Sequence, residues 1–158
     1  MSFVVRPLDN PLLDALATRY RQMSGNEVIG RNDLLRPILR ALHSNRAVGI
    51  LADQNVAQGK GVFVDFFGRK ACVDSGLARL AARTGAAVIP GFAVWSSAER
   101  RFILKFYPPL TISGDEVADT QAVQSALEHA IREYPDQWLW IHRRWKTRPP
   151  GEPPRYDV

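Results

Sequence analysis

Residues 51–69 read LADQNVAQGKGVFVDFFGR. The apolar run that leads into them, AVGILA (47–52), stops at an acid and an amide, Asp53 and Gln54, and Gly59 and Gly61 then lead to the oily FVDFFG (63–68). A short, continuously apolar run reads as a buried strand. Ligands in open α/β sheets sit at the carboxyl ends of strands, so Asp53 and Gln54 are candidates to position a hydroxyl, an amine or an arginine. A polar strand exit that caps the following turn is the competing reading. QGKG matches neither GxxxxGK[ST] nor GxGxxG, so its glycines signify flexibility or close approach to a ligand. Val62, Phe63, Val64, Phe66 and Phe67 crowd one short segment. That over-fills one face of an edge strand, so some belong in the core and others on an acyl-chain or lipid-facing surface.

On either side of this stretch, helix signals alternate with strand signals. DNPLLDALATRYRQ has an Asp/Asn cap, Pro11 at the first helical position, and apolar residues at 12, 13, 16, 17 and 20. Asn32 or Asp33 opens a second helix with a stripe of Leu34, Leu35, Ile38, Leu39 and Leu42, which places Pro37 in its first turn. Asp74 or Ser75 caps SGLARLAART, and Gly85 is placed to stop it. AAVIPGFAVW and RFILKFY are strand-like across the turn SSAER. Val123, Leu127, Ala130 and Ile131 mark a final helix from Asp119 to Tyr134, ended by Pro135. This alternation predicts an α/β layer fold with a mainly parallel or mixed sheet. The prolines of RPPGEPP suit an extended, poorly packed end.

Composition narrows the function classes. A chain of 158 residues, 46% hydrophobic and 23% charged, fits one globular domain and excludes disordered and fibrous classes. Cys72, the single cysteine, excludes an internal disulfide and reads as a small packed hydrophobe. No apolar run approaches a membrane span and MSFVVRPLDN lacks a signal-peptide pattern, so the expectation is a soluble or peripheral chain. The single Cys and scattered His and Asp lack metal-ligand spacing. Seventeen Arg against 4 Lys, at a net charge of +5, favour bidentate grip on phosphate or carboxylate, although Arg-rich coding gives the same count. Arg19 and Arg21, spaced by two, share a ligand only if the first helix frays; otherwise they are solvated surface charges. In WLWIHRRWKTRPPG, Trp138, Trp140 and Trp145 alternate with Arg143, Arg144, Lys146 and Arg148. A membrane interface, a nucleic-acid surface and a Trp-completed core all fit that composition.

Taken in order, DQNVAQGKGVFVDFFG, SGLARLAARTGAAVIPGF and EYPDQWLWIHRRWKTRPPGEPPRY resemble the bacterial late acyltransferases of lipid A biosynthesis, within the lysophospholipid acyltransferase superfamily. The resemblance runs from Val4 to Tyr156. It implies a glycerol-phosphate-acyltransferase-like sandwich, with residues 1–148 the C-terminal part of one acyltransferase domain and 149–158 a Pro-rich tail. It also implies transfer of a fatty acyl group from an acyl carrier protein or CoA thioester to a hydroxyl of a phosphorylated glucosamine lipid. The thioester is a co-substrate, no further cofactor is implied, and the setting is the cytoplasmic face of the inner membrane. The implied partners are acyl carrier protein, the glycolipid acceptor and the membrane surface, with no nucleic acid. On this resemblance Asp53 and Gln54 fall in the third block beside the acceptor, Pro90 in the fourth, and Arg19 and Arg21 in the basic second. Gly61, Phe67 and Gly68 complete the expected substrate-binding set, and Trp138, Trp140, Arg143, Arg144 and Trp145 form the expected lipid-facing set.

One departure stands out. The family's chemistry uses a His followed five positions later by Asp or Glu: the imidazole takes the acceptor hydroxyl's proton and the acid holds its tautomer. Here the residues five positions after His43, His129 and His142 are Val48, Tyr134 and Thr147. His129 and Glu133 form an i,i+4 helix pair that reads as a surface contact. The expectation is a C-terminal portion without the dyad, with exposed apolar edges and no turnover alone. An acyltransferase acting on another glycolipid, such as a mannosylated phosphoinositide, and a non-catalytic module binding anionic lipid or nucleic acid are the alternatives.

Overall fold

A computed structural model describes residues 1–30 and 34–156. The helix cap expected at Asn32 or Asp33 lies outside them. Among the described residues the fold is mixed α/β, with four α-helices and small parallel and antiparallel sheets. The chain divides into two compact units, Met1–Leu51 and Ala52–Val158.

The first unit alternates strand and helix: β1 (Ser2–Val5), α1 (Pro11–Gln22), β2 (Glu27–Gly30), α2 (Leu35–His43) and β3 (Val48–Gly49). Its sheet is parallel in the order β2-β1-β3, with Ser2 opposite both Glu27 and Val48. Asn10 caps α1 as its sequence predicts, accepting from the amides of Leu12 and Leu13 at 2.9 and 3.3 Å. The apolar stripe of α1 is nonetheless exposed at Leu12, Leu13, Leu16 and Tyr20. The buried strand expected over AVGILA reduces to Val48–Gly49, because β3 pairs with β1 only at Ser2 and Phe3. Beyond that pairing the run leaves the sheet, and Leu51 is 78% exposed.

The second unit is built on a hairpin of β4 (Val62–Phe66) and β5 (Arg69–Val73) laid on the long helix α4 (Glu116–Glu133). Strand alternation explains the seal: Val64, Phe66, Ala71 and Val73 share one face of the antiparallel register and are all buried. Phe66 and Ala71 meet Leu127 and Ile131 of α4, flanked by Phe67, Phe92, Trp138 and Trp145. The hairpin turns at Phe67 and Gly68, both left-handed at φ 52° and 70°, the two-residue geometry whose twist matches paired strands. Helix α3 (Gly76–Thr84) ends where Gly85 adopts φ 67°, as expected. Asp74, rather than the side chain of Ser75, binds the Gly76 amide at its start, at 2.7 Å.

Helix α4 begins three residues before the expected Asp119, capped by Asp115 through the Ala118 amide at 2.7 Å. Asp119 instead reaches backwards, accepting from Ser113 N and Oγ and from Gly114 N at 2.7–2.9 Å. These donors, the Ser113 amide foremost, hold its carboxyl below the ordinary 3.8. A lowered folded pKa contributes stability that is complete above the unfolded value and is lost as pH falls through the folded one. Asp119→Asn is therefore expected to lower stability at neutral pH and to flatten its decline below about pH 4, as read by urea midpoints across an acid series. An unchanged acid limb would contradict this.

Strands β6 (Gly91–Ser96) and β7 (Arg101–Phe106) form a second antiparallel hairpin, within the stretches expected to be strands. Its Phe92, Val94 and Ile103 face is covered or half-covered. On the other face Phe102, Leu104 and Phe106 are 67–70% exposed, beside Ala93 and Trp95. A contiguous apolar ribbon of this kind drives association. The purified chain is expected to self-associate, and Phe102→Ser with Leu104→Ser to shift it towards monomer in sedimentation velocity. A monomeric unsubstituted chain would refute that.

Candidate functional site

Segment 52–57 carries Asp53 and Gln54 and has no regular structure, so its geometry is imposed from outside. Two contacts from distant sequence do this. Gln124, fully buried in α4, donates from Nε2 to the Ala52 carbonyl at 2.9 Å. Thr147 donates its hydroxyl to the Val56 carbonyl at 2.7 Å and its amide to Asn55 Oδ1 at 3.1 Å, while Asn55 Nδ2 returns a bond to the Thr147 hydroxyl at 3.0 Å. Between these anchors Asp53 is half-buried and Gln54 exposed. Asp53 is thus presented by α4 and the C-terminal segment rather than by a strand end.

Arg144 supplies the charge beneath the loop. Its Nη2 donates to Gln124 Oε1 at 2.7 Å and Nη1 to the Cys72 carbonyl at 3.4 Å, and its guanidinium lies 5.2 Å from the Phe66 ring centroid. Burial pushes its pKa down to about 10, partly opposed by the Asp53 carboxylate and by Cys72. It is therefore a cation at neutral pH. Among the described residues, Arg21 Nη1 in the first unit and Asp53 Oδ1, Arg144 Nε and His142 Nε2 in the second are buried without a hydrogen-bond partner. A carboxylate oxygen can accept a hydrogen bond that a hydroxyl donates; a guanidinium only donates and cannot act as a base.

Gly61 follows a different logic from the expected approach to a ligand. A Cβ there would stand 2.2 Å from the Val73 carbonyl oxygen and 2.6 Å from Val56 Cγ2, so the close neighbour is the protein's own backbone. Phe67 and Gly68 form the β4–β5 turn. The Phe67 amide donates to Glu128 Oε2 at 2.6 Å, and its ring lies beside Trp140 and Arg132. Pro90 is half-buried just before β6, its carbonyl accepting from the Tyr107 amide at 2.9 Å. Cys72 is buried as its sequence suggests, and burial raises its thiol pKa.

The expected lipid-facing set splits. Arg144 is 3% exposed and bonded inward, so it does not face lipid. Trp138 and Trp145 pack on Phe66 at 6.4 and 5.9 Å between centroids, and Trp145 Nε1 donates to the Phe66 carbonyl at 3.3 Å. These two complete the core, the structural option that composition left open. Trp140 and Arg143 stay at the surface, with Leu139 and Ile141 exposed beside Trp140. Residues 150–155 are exposed as their prolines suggest, yet the tail is tied back. Arg148 pairs with Glu152, Arg155 stacks on Trp145, and the Trp145 amide donates to the Tyr156 hydroxyl.

Arg19 and Arg21 lie in the regular last turn of α1 rather than a frayed end. Two residues apart, they diverge by about 200° around the axis, so the helix does not aim them at one ligand. His129 and Glu133 do pair, at 3.4 Å, within a surface cluster in which Tyr107 donates to Glu133 at 2.5 Å and Lys105 bonds Tyr134. Gln124 and Thr147 had no site signal in sequence, since each acts through a partner far along the chain.

Residues 1–147 match the family model described as bacterial lipid A biosynthesis acyltransferase. The chain is 33% identical over 156 residues to the lipid A biosynthesis lauroyltransferase of Escherichia coli K12, covering 97% of this chain and 51% of the relative. It is 34% identical over 163 residues to the palmitoleoyltransferase of the same organism, covering 99% and 51%. It is also 34% identical over 131 residues to the phosphatidylinositol mannoside acyltransferase of Mycolicibacterium smegmatis, covering 80% and 42%. The chain thus spans about half the length of the curated relatives it matches.

Proposed function

Because the chain belongs to the bacterial lipid A biosynthesis acyltransferase family, we propose that it serves O-acyl transfer to a lipid A precursor. The match over residues 1–147 carries this reading. In it, the acceptor hydroxyl attacks an acyl carrier protein or CoA thioester, the acyl carbon–sulfur bond breaks as the ester forms, and the hydroxyl proton passes to a base. Residues 1–148 form part of one acyltransferase domain of the glycerol-phosphate-acyltransferase-like sandwich type. Asp53 and Gln54, held at the surface of the second unit, contact the acceptor. Trp140 and Arg143, with Leu139 and Ile141, meet the inner-membrane headgroups on the cytoplasmic side.

No His in this chain has an acid five positions on, so the base comes from polypeptide outside these residues. The test is a chimaera that sets the amino-terminal half of the E. coli lauroyltransferase ahead of Met1. It is expected to acylate a lipid A precursor from acyl carrier protein thioester, and the 158-residue chain alone to give no product. Turnover by the chain alone would overturn the external base. Acylation of a phosphoinositide mannoside in place of the lipid A precursor would overturn the acceptor, an outcome the mycobacterial relative makes worth measuring.

A further inference from the structure

From these contacts we infer that Arg144, Gln124 and Thr147 are positioning residues: together they pin the 52–56 loop at both ends and so set where Asp53 and Gln54 stand. The inference rests on the reading of that pair as acceptor contacts, and it assigns Arg144 and Thr147 of the C-terminal motif to loop geometry in place of lipid contact.

The two anchors leave Asp53 and Gln54 as the only unanchored residues between them. At one end Arg144 orients Gln124. With its Oε1 occupied by the guanidinium at 2.7 Å, the Gln124 carboxamide has one orientation, and that orientation aims Nε2 at Ala52 O. At the other end Asn55 and Thr147 exchange bonds reciprocally, and the Thr147 hydroxyl also closes on Val56 O. The Cys72 carbonyl joins the two ends, accepting from Val56 N at 3.3 Å and from Arg144 Nη1 at 3.4 Å. A Glu at 124 keeps the acceptor that Arg144 needs while removing the donor to Ala52 O, and a Val at 147 removes the hydroxyl at similar volume, so each substitution tests orientation rather than filling. Ser at 147 restores the hydroxyl.

The experiment compares Gln124→Glu, Thr147→Val and Thr147→Ser in the full chain by hydrogen exchange read with mass spectrometry. Gln124→Glu and Thr147→Val are expected to speed exchange about 5-fold in peptides covering 52–57, with α4 and the β4–β5 hairpin unchanged, and Thr147→Ser to stay near the parent. Equal acceleration across the second unit would show a merely structural role and overturn the inference. In the chimaera the same two substitutions are expected to raise KM for the lipid acceptor about 10-fold while KM for the thioester holds. A loosened loop with unchanged acceptor KM would overturn the functional half. A chimaera inactive without any substitution would sink the acyl-transfer reading instead, and exchange alone would then decide the pinning.

Discussion

Phe66→Ala is expected to lower the unfolding free energy of the second unit by about 3–5 kcal/mol. The side chain is fully buried, with Ala71, Leu127 and Ile131 around it and the rings of Phe67, Trp138 and Trp145 at 5.0–6.4 Å. Its removal also takes away the face on which the buried Arg144 guanidinium rests. Three elements converge there, so collapse into the space would have to move a helix, a hairpin and the C-terminal segment together. Urea denaturation of the parent and the variant checks the value. The same measurement separates two roles for the FVDFFG phenylalanines. A wall of an acyl chamber would tolerate truncation and change chain-length preference, and a loss below about 1 kcal/mol would favour that role.

Gly61→Ala is expected to cost about 3 kcal/mol or more, because the intruding methyl meets a backbone carbonyl that cannot rotate away. At roughly 4–8 °C per kcal/mol for a unit of this size, the melting temperature falls by more than about 10 °C. Gly68→Ala, left-handed but with open space around it, is expected to cost only about 1 kcal/mol. If the two variants melted together, close approach of β5 would not be what Gly61 serves.

These two glycines show where sequence reading reaches its limit. A positive φ in a turn and a backbone pressed against a glycine leave the same letter, and neither differs from a ligand's approach. Local chemistry was easier to read. Asn10 and Pro11 start α1, and Gly85 ends α3, because capping involves residues two to four apart. The start of α4 was displaced because Asp115 and Asp119 are both acceptors, and only the fold shows that Asp119 bonds backwards. β5 escaped notice since its charged end, Arg69 and Lys70, obscures the alternation, and its turn begins with Phe where Asn or Gly is usual. The candidate site was legible as a pair of polar residues after an apolar run. What holds the pair was not, for Gln124 and Thr147 lie 72 and 92 residues from their partners.

The Asn55–Thr147 clasp also bears on how the polypeptide matures. A ribosome releases the amino end first, so α4 and the β4–β5 hairpin are made before residue 147. Until it emerges, the Asn55 carboxamide and the Val56 carbonyl await their partner, and Arg144 likewise arrives after the helix it braces. Closing a loop that long is slow. A nonsense product ending shortly before Thr147 would therefore keep most of its core and be a poor escapee from proteolytic quality control, nicked first at the unclasped segment.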